Sequence, residues 1–291
     1  MTQQRLSVQE ILNKKKRSEK ITMLTAYDYP LAKLVDEAGV DIVLVGDSLA
    51  NVVLGLESTR EVGMEEMIHH TKAVNRAVKK SLLIGDMPFN SYQLNTKDAV
   101  KNAERFIKEA GCNAVKLEWF DQCLEVAEAI VKAGIPVMGH VGLTPQTVEK
   151  LGGFKVQGKD ADSAKELIEH AKTLEKKGVF SLVLECIPDK IAEMITNELA
   201  IPTIGIGAGV HCDGQVLVTH DILGLFDRFS PKFAKQYVNL GPLIVNALKQ
   251  FRAEVSSGHF PDGEHSFRMR PEEIERLKNF IGQKSEVKSQ K

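Results

Sequence analysis

Eight short apolar runs, rich in Val, Ile and Leu, recur along the chain at residues 21–26, 42–45, 82–85, 114–117, 135–138, 181–184, 202–206 and 215–218. Each is followed by a turn and then a longer stretch of helical spacing. Continuous rather than alternating apolar runs suit strands covered on both faces, and helices between them impose parallel crossovers. Helices are expected at 30–38, 64–80, 96–110, 121–133 and 160–177, four of them ending at Gly39, Gly111, Gly134 and Gly178. Eight such units in sequence fit a closed (β/α)8 barrel, the TIM-barrel architecture, better than a doubly wound sheet. The 291 residues hold it as one domain, since these barrels occupy about 250 residues.

The flanks have their own patterns. Ser7 and Glu10 form a capping-box pattern that opens a short helix with Val8, Ile11 and Leu12 on one face, placed to close the bottom of the barrel. The basic run 14–17 reads as a solvated helix end that complements the helix dipole. Beyond the eighth strand come an apolar helix at 240–251, a polar Gly/Pro stretch and a charged helix at 271–281, and the last ten residues read as disordered. The expected organisation is a catalytic barrel domain over residues 1–267, including the N-terminal helix, and a charged helical extension with a disordered tail over 268–291.

Composition narrows the function. Lys plus Arg number 38 against 39 acidic residues, so no global field favours nucleic acid or an anionic membrane surface. No apolar run approaches the roughly 18 residues that span a bilayer, and the polar N-terminus lacks the apolar core of a secretory signal. A cytoplasmic protein with a small-molecule partner is expected. Cys112, Cys123, Cys186 and Cys212 show no paired-zinc spacing and read as reduced thiols that pack.

The residue just after each strand stands at the C-terminal mouth, where barrel enzymes keep their active sites. These positions hold Gly46-Asp47-Ser48, Asp86, Glu118 with Lys116 two residues before it, His140, Glu185 and His220-Asp221. One carboxylate after a strand is unremarkable as a helix cap. Four on separate strands around one mouth repel one another unless a cation or a proton joins them. Oxygen ligands without paired Cys or closely spaced His favour a hard ion such as Mg²⁺. Asp47, Asp86 and Glu118 are therefore assigned to metal binding, directly or through water. Glu185 is left free as a general base, and Lys116 and Ser48 are suited to hold a substrate anion. His140 is either a donor at the substrate or a satisfied structural histidine. His69-His70 reads as surface and packing, and Gly205-Ile206-Gly207-Ala208-Gly209 has only a loose likeness to a phosphate-binding loop.

The segments carrying these residues resemble the ketopantoate hydroxymethyltransferase family. The resemblance rests on Thr25-Ala26-Tyr27-Asp28, Val45-Gly46-Asp47-Ser48-Leu49, Val115-Lys116-Leu117-Glu118, Gly139-His140-Val141-Gly142-Leu143-Thr144-Pro145-Gln146 and Leu182-Val183-Leu184-Glu185-Cys186. It continues through Gly205 to Gly209, Asp213-Gly214-Gln215-Val216-Leu217-Val218, His220-Asp221 and Pro231-Lys232-Phe233-Ala234-Lys235, covering roughly residues 5 to 267. It implies a barrel in which one Mg²⁺ per subunit holds the oxygens of 3-methyl-2-oxobutanoate. Asp47, Asp86 and Glu118 are then the metal positions, Ser48, Asp86 and Lys116 touch substrate, and Glu185 accepts the proton. It further implies 5,10-methylenetetrahydrofolate as the one-carbon donor and a homodecamer, neither of which spacing shows. The chain departs from the family pattern at Ala50, Leu56 and Trp119-Phe120-Asp121, none of them among the expected ligands. Two other readings stay open: a Mg-dependent oxo-acid lyase or phosphonate mutase on a phosphoenolpyruvate-type barrel, and a non-catalytic scaffold barrel.

Overall fold

The computed structural model describes residues 5–147, 155–229 and 231–289. In chain order the elements are α1 (Val8–Lys16), β1 (Ile21–Thr25), α2 (Tyr29–Glu37), β2 (Ile42–Val45), α3 (Leu49–Val52), α4 (Met64–Ala77), β3 (Leu82–Asp86), α5 (Thr96–Lys108) and β4 (Ala114–Lys116). They continue with α6 (Cys123–Lys132), β5 (Val137–Gly142), α7 (Ala161–Lys176), β6 (Ser181–Glu185), α8 (Asp189–Glu198), β7 (Thr203–Ile206), β8 (Gly214–Leu217) and α9 (Thr219–Leu223). The eight strands pair in sequence order, all parallel, and β8 closes on β1. The expected barrel is what forms.

Strand side chains alternate between two cores. Ile42 and Leu44 of β2, Leu82 and Ile84 of β3, Ala114 of β4 and Val183 of β6 fill the lumen. Their neighbours Val43, Val45, Leu83, Val115, Leu182 and Leu184 face outward into the layer beneath the helices. This period-two division is why the runs are apolar throughout rather than alternating. The helices are started by side-chain caps: Asp28 accepts from Leu31 N, Asn95 from Asp98 N and Asp160 from Ser163 N, each satisfying an amide the first turn leaves free.

Helix α1 does close the lower end. Ile11 is fully buried in the lumen cluster, a burial worth about 1.5–3 kcal/mol. Its cap is one-sided: Ser7 accepts from Glu10 N, but the Glu10 carboxylate accepts from Arg17 at 2.6 Å rather than reaching back to the cap. The basic run is not simply solvated. Lys14 pairs with Asp41 at 2.8 Å and Lys15 with Asp213 at 2.9 Å, and Lys15 also donates to the carbonyls of Thr196 and Ile201. A charge run on a helix that plugs a barrel meets the strand-foot carboxylates beneath it, which spacing alone does not reveal.

Two further differences from the sequence reading matter. Strand β5 begins two residues later than expected and runs on to Gly142, because Gly139, His140 and Gly142 continue the ladder with Leu182, Val183 and Glu185 of β6. His140 is thus in the strand, not after it. No helix joins β7 to β8. Residues 207–213 return as a loop to Gly214, which pairs with Ile204 of β7 and with Ile21 at the start of β1.

The chain divides into two compact units, with the boundary between Val238 and Asn239. The sequence boundary after residue 267 falls inside the second unit. That unit holds α10 (Leu240–Ser257) and α11 (Pro271–Ser289). Helix α10 contributes no buried residue. Helix α11 continues through Ser289, so most of the tail expected to be disordered is helical, its Gln, Lys, Glu and Ser being compatible with helix; residues 290 and 291 lie outside the described residues. Among the described residues no helix is long and apolar enough to cross a membrane.

Candidate active site

The alternation that fills the lumen with apolar side chains also builds the site. Two residues above lumen-facing Ile84 is Asp86, and above Ala114 come Lys116 and then Glu118. Above Met138 is His140, and above Val183 is Glu185. Each of these four strands, β3 to β6, therefore carries an apolar residue low in the lumen and an ionisable one at or just beyond its upper end. Asp47 follows β2 from the first turn of the β2–α3 corner. Asp86 and Glu118 are each 1% exposed, Asp47 6% and Lys116 5%.

The geometry is a connected chain of charges. Lys116 Nζ lies 2.9 and 3.0 Å from the two oxygens of Asp86 and 3.8 Å from Glu118 Oε1. Asp86 Oδ2 accepts from the backbone N–H of Asp47 at 3.2 Å. His140 lies between two carboxylates, with Nδ1 3.5 Å from Glu118 Oε1 and Nε2 3.3 Å from Glu185 Oε2, neither contact having the alignment of a good hydrogen bond. The Glu185 side chain is 14% exposed, against 2% or less for Asp86, Glu118 and His140, so Glu185 faces the approach to the cluster. Its backbone is set by Gly142 (φ 100°), where a Cβ would collide with the Glu185 carbonyl oxygen. Ser48 shares a 2.7 Å hydrogen bond with the Tyr27 hydroxyl.

These contacts perturb the ionisations. Burial, reinforced by Asp86 and Glu118, pushes Asp47 well above the usual carboxylate range. Burial also raises Asp86, with Glu118 adding to it and Lys116 opposing. For Glu118, burial is outweighed by His140 and Lys116, which hold it low. Lys116 is raised because the carboxylates overcome its own burial. Burial would lower His140, but Glu118 and Glu185 carry it to about 9. The cluster thus sets four carboxylates against Lys116 and His140, an imbalance that a further cation would relieve. By the chemistry of its donors the site fits a divalent ion. Among the described residues no three acidic, His or Cys side chains already stand in a ligating arrangement; in their place the Lys116 ammonium sits beside Asp86.

Of the residues singled out from sequence, Asp47, Asp86, Lys116, Glu118, His140 and Glu185 are joined by these contacts, while Ser48 adjoins Asp47 in the chain and bonds Tyr27. Sequence reasoning missed two that join them. Gln146, fully buried, donates through Nε2 to Asp47 Oδ2 at 3.0 Å and through its backbone N–H to Glu118 Oε2 at 3.0 Å. Tyr92 donates to Gln146 Oε1 at 2.6 Å and accepts from Glu118 N at 3.1 Å. The signal available was the Gly139–Gln146 stretch, read for His140 alone.

The other candidates resolve as packing. Gly207 and Gly209 sit where a Cβ would strike Phe233 and Asp189, so these glycines let the loop pack closely on the protein's own side chains. His70 Nδ1 bonds Tyr27 O at 2.7 Å, and the half-buried His220 packs on the Tyr27 ring at 5.4 Å. Burial pushes the Cys186 thiol up to about 12, and all four cysteines are free, which leaves no activated thiolate.

Comparison with known proteins follows the same line. The profile of the ketopantoate hydroxymethyltransferase family matches residues 5–263. A 3-methyl-2-oxobutanoate hydroxymethyltransferase from Syntrophomonas wolfei subsp. wolfei is 56% identical over 94% of this chain and 99% of its own. Another from Clostridioides difficile is 52% identical over 93% and 98%. Among solved structures, phosphonopyruvate hydrolase in complex with oxalate and Mg²⁺ superposes with a TM-score of 0.58 over 98% of this chain and all of the other, at 12% identity. At that identity the likeness concerns the barrel alone.

Proposed function

The chain belongs to the ketopantoate hydroxymethyltransferase family, and from that premise we propose that it transfers a hydroxymethyl group from 5,10-methylenetetrahydrofolate to 3-methyl-2-oxobutanoate, giving 2-dehydropantoate in the first step of pantothenate biosynthesis. It is an enzyme, a hydroxymethyltransferase, as its relatives are. The observation that carries the mechanistic reading is the layer of lumen-facing ionisable residues above the apolar core, with an excess of negative charge and Glu185 at its open edge.

Asp47, Asp86 and Glu118 would hold Mg²⁺, directly or through water. When bound, the ion supplies positive charge that polarises the keto group of the oxo acid. Lys116 and Ser48 hold the anionic end of the substrate by charge and hydrogen bonding. Glu185 takes the proton from C3, and the resulting carbon nucleophile bonds to the folate methylene carbon; both C–N bonds of that carbon break, water supplies the hydroxyl oxygen, and tetrahydrofolate leaves with the released protons. His140, wedged between Glu118 and Glu185, keeps the base aimed and its charge balanced. The burial of Asp47, Asp86, Lys116 and Glu118 strengthens each of these interactions.

We place the enzyme in the cytoplasm as a homo-oligomer, a decamer by family resemblance. The lyase and mutase reading has only distant fold likeness behind it, and relatives at 52–56% identity named as transferases weigh against it. The test is turnover of 3-methyl-2-oxobutanoate with and without methylenetetrahydrofolate and Mg²⁺. Product that requires both supports the proposal; folate-independent carbon–carbon cleavage refutes it.

A further inference from the structure

Gln146 comes from a single 3-10 turn, Pro145–Thr147, that follows β5, yet its polar groups are spent on residues from three other strand ends. The amide orientation follows from its neighbours. Nε2 faces two acceptors, Asp47 Oδ2 and the Met87 carbonyl, each at 3.0 Å. Oε1 faces two donors, the Tyr92 hydroxyl at 2.6 Å and Gln93 Nε2 at 3.3 Å. Turning the amide over would set oxygen against a carboxylate and a carbonyl, so the orientation is determined. All four hydrogen-bonding positions of the side chain are filled, and its backbone N–H holds Glu118 Oε2.

A donor at each end of one residue therefore grips two carboxylates that stand on different strands, Asp47 after β2 and Glu118 after β4. The Tyr92 hydroxyl closes the circuit, since it accepts from Glu118 N and donates to Gln146 Oε1. Gln146 can rotate toward neither partner without losing the other. Two like charges held at a set separation by neutral donors form a receptor for a cation, because the donors fix the anions in place without neutralising them.

We propose that Gln146 is a positioning residue that sets the separation of Asp47 and Glu118, and with it the affinity of the site for a divalent cation. The inference rests on the reading that Asp47, Asp86 and Glu118 hold Mg²⁺. It adds that a residue which touches neither metal nor substrate governs how tightly the metal is held.

Gln146→Met keeps length and volume and removes every side-chain hydrogen bond. The test is calorimetric titration of the full-length protein with Mg²⁺ in the presence of 3-methyl-2-oxobutanoate, together with the Mg²⁺ dependence of turnover and a thermal melt. Loss of an outer partner of a metal ligand typically weakens metal binding about 10- to 100-fold. The half-saturating Mg²⁺ concentration should rise by that factor, with kcat largely restored at saturating Mg²⁺. A merely structural role would lower stability without moving that concentration, so a folded variant that binds Mg²⁺ as the wild type does overturns the proposal. If Gln146→Met lacks a cooperative melt, Tyr92→Phe decides. Removing the hydroxyl that donates to Gln146 Oε1 and accepts from Glu118 N should raise the half-saturating concentration about fivefold or more, the worth of at least one hydrogen bond, and an unchanged value overturns the proposal. Absence of metal-dependent heat in the wild type would instead count against the Mg²⁺ reading itself.

Discussion

Replacing Lys116 by methionine removes the ammonium that lies 2.9 and 3.0 Å from the oxygens of Asp86 and 3.8 Å from Glu118. Methionine fills nearly the same volume, so the change is electrostatic. Lys116 is 5% exposed and Asp86 1%; water therefore does little to screen what is left. Stranding one partner of a buried pair costs about 3–5 kcal/mol. For a domain of this size 1 kcal/mol moves the melting temperature by about 2–4 °C, so a fall of about 6–20 °C is expected in metal-free buffer. The assay is a thermal melt of wild type, Lys116→Met and the double variant Lys116→Met/Asp86→Leu. Removing both charges should recover much of the loss, because a buried pair is worth little against apolar residues of similar size. A single variant that melts within 2 °C of wild type would refute the argument that this ammonium balances the cluster.

Glu185→Gln should lose about 10²- to 10⁴-fold in turnover while still binding Mg²⁺ and oxo acid; near-normal deuterium exchange at C3, followed by NMR, removes Glu185 from the role of base. Asp36 accepts from the backbone N–H groups of Lys79, Lys80 and Ser81 and from the Ser81 hydroxyl at 2.9–3.0 Å, and these donors outweigh its burial and hold its carboxyl below the ordinary value. A depressed carboxylate stabilises fully above its unfolded pKa of about 4 and loses that contribution as pH falls through the folded value. Denaturant melts should thus show Asp36→Ala less stable than wild type by about 3 kcal/mol at neutral pH, with the gap narrowing below about pH 4; a gap that widens in acid contradicts the assignment. Gly142→Ala should cost about 2–4 kcal/mol and displace Glu185, so unaltered stability and kcat would show that the contact is not tight.

Much of this was legible because barrels translate sequence position into height. The apolar runs marked the strands, and the first ionisable residue at or beyond the end of each marked the mouth, which is how Asp47, Asp86, Glu118 and Glu185 could be read together. The ends of runs were harder. Gly139 and Gly142 look like a turn, but in β5 they keep the ladder with β6, and backbone crowding at the Glu185 carbonyl is a property of two strands at once. Lys14 and Lys15 looked solvated because Asp41 and Asp213, their partners, are far away in the chain. Gln146 and Tyr92 were missed for the same reason: an amide and a phenol carry no functional signature until the carboxylates they hold are in place. Asp221 was read only as a mouth residue, whereas burial pushes it up to about 6 without bringing it into hydrogen-bonding range of the cluster among the described contacts.

The account stands most directly on where a cation goes. Crystals grown with Mn²⁺ in place of Mg²⁺ and soaked with 3-methyl-2-oxobutanoate give an anomalous signal that locates the ion without assumption. The account predicts one strong peak per subunit between Asp47, Asp86 and Glu118, bound to them directly or through water, with the oxo acid beside it and its C3 facing Glu185. A peak elsewhere, or oxo acid bound in full occupancy with no metal among those three carboxylates, would contradict it.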